Sequence, residues 1–411
     1  MKVVHLNNAD TSGGAAIAAF RIHQSLLNTG LHSRMWVNNA KSGDWTVSGP
    51  DRKWKKAVAQ MRRHLIAPIL KATQTQNKIL HSPAILPSSW SKKINQSDLD
   101  IAHLHWVGAE MASISDIGRI KKPSVWTLHD MWAFCGAEHV SWDQRWQEGY
   151  TKKNRPSHEK GFDINRWTWN RKLKHWKNPF QIVTVSKWLA ECVQNSIVMK
   201  DWPVTIIPNC LNTQIWGPVD KTLARNMLGL PIDVPIIAFG TYGANSEYHK
   251  GFDLLSDALK NLKGLNKDVE LAIFGQLAPK EPINLGFKVN FMGHFHDDLS
   301  LRLFYSAVDM LVVPSRKEAF GQTASESMAC ATPVVAFGAT GLLDIVDHKI
   351  NGYLAKPFES EDLANGIEYV LNTSTSQYDE LCDNAREKVV TKFDSAVVGA
   401  KYVELYNKIL K

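Results

Sequence analysis

Two glutamates, Glu318 and Glu326, stand eight positions apart in the segment 316–337, RKEAFGQTASESMACATPVVAF. A carboxylate is an acceptor of hydrogen bonds only, so a pair of them suits a ligand rich in hydroxyl groups. An apolar strand pattern ends at Pro314, a small-residue helical pattern covers 323–331, and a second strand pattern follows at 333–337. In an open parallel sheet, ligands bind beyond the carboxyl ends of strands, where loops turn into helices. Glu318 falls on such a loop. Glu326 falls early in the next helix, whose side chains lean toward its N-terminus. Both carboxylates are therefore expected to look into one crevice. Backbone N–H groups near Gly321 and the helix start are free for an anion. The chemistry implied is capture of a polyhydroxyl ligand that carries phosphate.

Other residues extend that chemistry. Lys250 lies in HKGFDLLSDAL (249–259), which opens a helix just after the first strand pattern of the second half. A cation there can take the charge of a departing phosphate, a role that metal-free phosphate chemistry requires. Gly13 and Gly14 follow the first strand pattern and open a helix, permitting close backbone approach to a ligand. His129 ends the strand pattern SVWTLH and is followed by Asp130. His103 and His105 alternate on one face of IAHLHW. Their spacing suits a metal, but no third ligand is apparent, and packing is the favoured reading. Asp98 and Asp100 form a D-x-D that precedes a strand instead of ending one, which argues against cation binding. No metal and no cofactor are expected.

These residues need a scaffold. At 411 residues the chain exceeds what one core usually supports. Short apolar runs alternate with helical patterns throughout, the signature of parallel α/β layers. Strands are expected at 2–7, 33–38, 101–106, 124–129, 181–186 and 204–208, then at 234–240, 270–275, 288–293, 309–314, 333–337 and 352–355. An Asn-, Gly- and Pro-rich stretch, 209–220, separates the two sets. The expected domains are thus 1–210 and 211–392, with a last helix at 393–411. The segment 142–176, rich in Trp, Lys and Arg, shows no clear period and receives no element.

Charge is divided unevenly. Residues 1–200 hold 29 Lys and Arg against 14 Asp and Glu, while 201–411 hold 19 against 26. A basic first half implies a polyanionic partner. No nucleic-acid-binding pattern appears. The segment 52–71 interleaves Arg52, Lys53, Lys55, Lys56, Arg62, Arg63 and Lys71 with Trp54, Met61, Leu65, Ile66, Ile69 and Leu70. Read as one helix, it suits the surface of an anionic membrane. There is no apolar run long enough to span a bilayer, and MKVVHLNNAD reads as a strand, not a signal peptide. Five scattered cysteines suit a reducing compartment.

The segment around Glu318 and Glu326, with Asp309, Pro314, Ser315, Phe320, Gly321, Met328, Ala329 and the Pro333–Val335 run, resembles the E-x7-E signature of retaining, GT-B-fold glycosyltransferases of family 4. TLHDMWAFCG (127–136) is similar to a subgroup associated with bacterial surface polysaccharides such as O-antigen or capsule. The resemblance implies two Rossmann-like domains facing across a cleft, with the C-terminal helix crossing back to the first. It implies a nucleotide-activated sugar, UDP- or GDP-linked, as donor and a lipid-linked saccharide as acceptor. Glu326 would hold the ribose, Glu318 and the Phe320–Gly321 backbone the donor sugar, Lys250 the diphosphate, and His129 the sugar hydroxyls. Gly13 and Gly14 correspond to the family's glycine loop. Glu318 is compatible with two roles, nucleophile or support of an oxocarbenium-like state. The family usually has an arginine where this chain has Thr241, leaving His249, Arg316, Lys317 or backbone N–H groups to compensate. Two alternatives share the scaffold: a nucleotide-sugar epimerase, and a non-catalytic polyanion- or membrane-binding protein. The expected location is cytoplasmic, peripheral on the inner face of the cytoplasmic membrane.

Overall fold

The structure is a computed structural model that describes residues 1–240, 248–262, 268–279 and 283–411. The chain divides into two compact units, Met1–Cys210 with Val398–Lys411, and Leu211–Val397. Each is built on a parallel sheet, the α/β class expected.

The first unit contains β1 (Lys2–Ala9), β2 (His32–Asn39), β3 (Val47–Ser48), β4 (Thr73–Gln74), β5 (Ile101–Leu104), β6 (Ser124–Leu128), β7 (Lys160–Gly161), β8 (Gln181–Thr184) and β9 (Val204–Ile206). Seven of these pair in the order β3-β2-β1-β5-β6-β8-β9. β4 and β7 form a small antiparallel pair. The order reverses beside β1, so the crevice between β1 and its neighbours opens at the carboxyl ends of those strands. The helix α1 (Gly14–Asn28) runs back across one face, burying Ile22 and Leu26. The last helix, Ser395–Leu410, packs Val398, Tyr402, Leu405 and Tyr406 into the core formed by Val3, Ile22, Leu26, Ile101, Val125 and Val183. Central parallel strands are buried on both faces and are usually apolar. This sheet departs from that rule, because His5, Asn7, His103, His105 and Thr127 are all buried.

In the second unit, β10 (Ile236–Gly240), β11 (Glu270–Phe274), β12 (Lys288–Gly293), β13 (Met310–Val313), β14 (Val334–Phe337) and β15 (Gly352–Ala355) pair in the order β12-β11-β10-β13-β14-β15. The reversal falls between β10 and β13, where Ala238 lies beside Leu311. Its core is conventionally apolar: Ile237, Phe239, Leu271, Ile273, Met310 and Val312 are all nearly inaccessible.

Two segments differ from their reading. The region 142–176 is an ordered part of the first unit, with helices Arg145–Glu148 and Ile164–His175. Asp163 caps the second by accepting from the Arg166 N–H at 3.0 Å. Buried Trp146, Trp169 and Trp176 anchor the segment. The basic segment 52–71 is not one helix. It breaks at Ile66 into α2 (Lys53–Leu65) and a short turn of helix, Ala67–Lys71. Pro68 has no N–H to continue the first helix but suits the start of a second.

Candidate functional site

In the second unit, a cavity of about 230 Å³ opens at the carboxyl ends of β10, β11 and β13. Gly240, Gly275, Pro314 and Ser315 form its rim, with Lys250, Glu318 and Thr323 projecting into it. Gly251 explains how Lys250 arrives there. Its φ is +69°, and a Cβ would lie 1.9 Å from the Pro314 carbonyl oxygen. Only glycine lets the turn before the helix Phe252–Asn261 press against the end of β13. Lys250 Nζ donates to Glu318 Oε1 at 2.6 Å, and the Ser315 hydroxyl donates to the same oxygen at 3.0 Å. Burial alone would raise the Glu318 carboxyl. The adjacent Lys250 ammonium and these two hydrogen bonds outweigh it and hold the pKa below the usual range. The site therefore presents an ionised carboxylate matched to a cation.

Gly321, at φ +105°, caps the helix Gln322–Ala329. A Cβ there would lie 2.8 Å from Leu342. Phe320 is buried, so it contributes backbone and packing. Glu326 sits three residues beyond Thr323 on this helix. Of the two glutamates only Glu318 lines the cavity; Glu326 is 6% exposed and its Oε2 accepts from the Tyr305 hydroxyl at 3.3 Å. The arginine alternatives separate as well. Arg316 binds Asp253 through both of its terminal nitrogens, at 2.8 and 2.6 Å, and lies over the Tyr248 ring. Thr241 lies outside the described residues.

In the first unit, Gly13 has φ +91° and precedes the first turn of α1, which begins at Gly14. The pair acts as a hinge of backbone into helix, with the conformational demand on Gly13 alone. His129 lies one residue past β6, half-buried, its Nε2 3.1 Å from His105 Nδ1. Burial lowers its pKa to about 4, against a smaller opposing pull from Asp130, so the ring is neutral. Asp130 accepts from Trp106 Nε1 at 2.8 Å and pairs with His139 at 2.6 Å, and the far nitrogen of His139 meets the Ser82 hydroxyl at 2.7 Å. Ser82 is fully buried, so this Ser–His–Asp series fixes Asp130 and exposes no nucleophile.

Sequence reading missed two members of this environment. His5 joins His103 and His105 in one cluster, supplying the third imidazole that the sequence did not reveal; the β1–β5 register, with His5 beside His103, brings it there. Lys172 is fully buried and donates to the carbonyls of Trp132, Cys135 (3.0 Å) and Gly136 (2.7 Å). It thereby gathers the loop that follows His129. Burial lowers its pKa to about 7. Asp98 and Asp100 are not arranged around an ion: they hold the side chain and backbone N–H of Lys2.

The chain's similarity to other proteins agrees with this geometry. The family model described as "Glycosyl transferases group 1" matches residues 238–388, and "Glycosyltransferase Family 4" matches residues 12–215. An uncharacterized glycosyltransferase of Methanocaldococcus jannaschii is 29% identical over 239 residues, 55% of this chain and 59% of that one. The capsular polysaccharide biosynthesis glycosyltransferase CapM of Staphylococcus aureus is 25% identical over 170 residues, 39% of this chain and 44% of its own. The chain thus spans less than two thirds of the length of these relatives. Among solved structures, Anabaena HepE in complex with UDP-glucose superimposes with a TM-score of 0.64 at 18% identity, covering 99% of this chain and 100% of that one.

Proposed function

Because the chain belongs to the GT-B glycosyltransferases of family 4, we propose that it moves a sugar from a nucleoside-diphosphate donor to a lipid-linked glycan, with retention and without a metal, in the assembly of a bacterial surface polysaccharide. The observation that carries this reading is the Lys250–Glu318 pair at the mouth of the switch-point cavity. An incoming diphosphate takes over Lys250, and Glu318 is released to the sugar as positive charge grows at its anomeric carbon. The UDP-glucose of the HepE complex and the capsular role in CapM's name support the donor class and the pathway class. Calorimetric titration with UDP- and GDP-sugars tests the reading. One of them is expected to bind, and Glu326→Ala to weaken it by about 1–3 kcal/mol through lost charged hydrogen bonds. Glu318→Ala is expected to cost turnover more than affinity. A protein that binds no nucleotide sugar overturns the proposal.

The acceptor side is proposed to work at an anionic bilayer. Among the described residues no helix is long and apolar enough to cross a membrane. α2 buries none of its residues; Trp54, Val58, Met61 and Leu65 form one apolar stripe, each about half exposed or more, with Lys53 to one side of it and Lys56 and Arg63 on the opposite face. Such a helix lies in a membrane interface, where each basic residue contributes on the order of 1 kcal/mol. Arg62 does not belong to this set: its guanidinium donates to the carbonyls of Glu110, Pro87 and Leu86. Lys55 is partly engaged by Asp51 at 2.7 Å. Sedimentation with vesicles containing phosphatidylglycerol is expected at low salt and to be lost at about 0.5 M, where the Debye length is short and the attraction is screened. Changing Lys53, Lys55, Lys56 and Arg63 to glutamine should abolish it with Arg62 left in place. Pelleting equal to the parent's rules the helix out as the anchor.

A further inference from the structure

The buried histidines of the first sheet form a directed chain. His5 Nδ1 and His105 Nε2 are 2.8 Å apart, and His105 Nδ1 and His129 Nε2 are 3.1 Å apart. His103 belongs to a separate branch, with Nδ1 2.6 Å from the Tyr406 hydroxyl and Nε2 2.7 Å from the Thr127 hydroxyl. His5, His103 and His105 each bring one nitrogen within 4.8 Å of the others, but their geometry is not that of a metal centre. Two nitrogens on one tetrahedral ion, each roughly 2.0–2.1 Å from it, stand roughly 3.3 Å apart. The 2.8 Å between His5 and His105 is instead an N–H···N hydrogen bond, and both nitrogens of His103 are engaged.

One atom gives the chain a direction. His5 is fully inaccessible, and its Nε2 has no hydrogen-bond partner among the described residues. Burial first, and the neighbouring histidines second, keep His5 and His105 far below the usual imidazole range, so each ring has one N–H and one lone pair. A proton on His5 Nε2 would be a buried donor with nothing to bind. Folded proteins rarely tolerate orphaned donors, whereas an under-used acceptor is more common. The proton therefore sits on His5 Nδ1 and is donated to His105 Nε2. His105 must then carry its own proton on Nδ1 and donate it to His129 Nε2. That leaves His129 only Nδ1 for its proton.

We infer that His5 and His105 are positioning residues that hold His129 in its Nδ1–H tautomer, so that His129 meets its ligand as a hydrogen-bond donor and not as a base. The ligand atom it suits is an acceptor oxygen bound at the carboxyl end of the first sheet. Its identity as a sugar hydroxyl rests on the function proposed above; the tautomer does not. In a free neutral imidazole the proton prefers Nε2, so this arrangement runs against intrinsic preference and depends on the two rings behind it.

The test is long-range proton–nitrogen correlation NMR on the full chain labelled with ¹⁵N-histidine, without any nucleotide sugar present. His129 is assigned by the signals lost in His129→Gln. The parent is expected to show a protonated Nδ1 and a bare Nε2 at His129. His5→Phe, checked for cooperative unfolding, is expected to convert His129 to a mixture of tautomers and to lower turnover roughly tenfold, the scale of one hydrogen bond, with donor KM unchanged. A bare Nδ1 in the parent overturns the inference, as does an unaltered His129 tautomer in a folded His5→Phe. If His5→Phe does not fold, the parent spectrum decides alone. Because the spectra are recorded without a donor, failure of the glycosyltransferase reading leaves the tautomer result standing, and the reverse holds too.

Discussion

Replacing Lys250 by alanine is expected to lower turnover by roughly 10²–10³-fold, the scale of removing one donor that serves a transition state. Two losses combine. The diphosphate leaves without its cation, and Glu318 loses the partner that keeps it ionised despite burial. In the parent, the depressed native pKa of Glu318 contributes stability fully present above the ordinary carboxyl value and lost as pH falls through the lower native one. In the variant burial acts unopposed by Lys250, so the carboxyl rises and the acid limb of the pH–rate profile moves to higher pH. Activity of the parent is expected to survive EDTA, since the cation in this scheme is a side chain. Steady-state assays across pH, with and without chelator, check all three. Loss of activity with chelator that added Mn²⁺ restores, or a Lys250→Ala enzyme as fast as the parent, is incompatible with the scheme.

Lys172→Met is expected to destabilise the first unit by about 3 kcal/mol. The substitution keeps an unbranched chain of similar length but removes every N–H. The carbonyls of Trp132, Cys135 and Gly136 lose their shared donor, and an unsatisfied buried group costs about 1–3 kcal/mol. The ammonium also lies 4.2 Å from the centre of the Trp132 ring, a further contact that Met does not replace in kind. Urea unfolding followed by tryptophan fluorescence measures the effect; a midpoint equal to the parent's shows the loop to be held by other means. The loop follows His129 directly, so some loss of activity is expected before the unit unfolds.

Local signals made much of this fold legible. The β-runs ELAIF, MLVV and VVAF read as strands because they are buried on both faces, and their observed bounds differ from expectation by a residue or two. Lys250, Glu318 and Gly321 were legible because each sits at a strand end or helix start, where spacing carries meaning. The remainder depended on register and distance. His5 looks like an ordinary strand residue until β1 is laid against β5. One of the two hydroxyls that engage His103 comes from Tyr406, 303 positions away. Lys172 lay in a stretch without period, and nothing in its neighbours says that its partners are carbonyls of residues 132–136. The place of Glu326 on its helix was legible, but the Tyr305 hydroxyl that donates to it at 3.3 Å comes from 21 residues earlier in the chain and was not.

The first unit is assembled from two separated pieces of chain, with Tyr402 and Tyr406 completing its interior. On a ribosome this imposes an order. After Cys210 has been made, all of Leu211–Val397 must follow before the closing helix is complete, an interval of roughly ten to forty seconds at about 5–20 residues per second. Throughout it, His103 and Thr127 wait without the hydroxyls of Tyr406 and Tyr402. The second unit, whose sequence is continuous, has no such delay. The half of the protein translated first is therefore the half finished last, and a nascent chain stalled before Val398 would carry a complete Lys250–Glu318 pair while its histidine core was still unsealed.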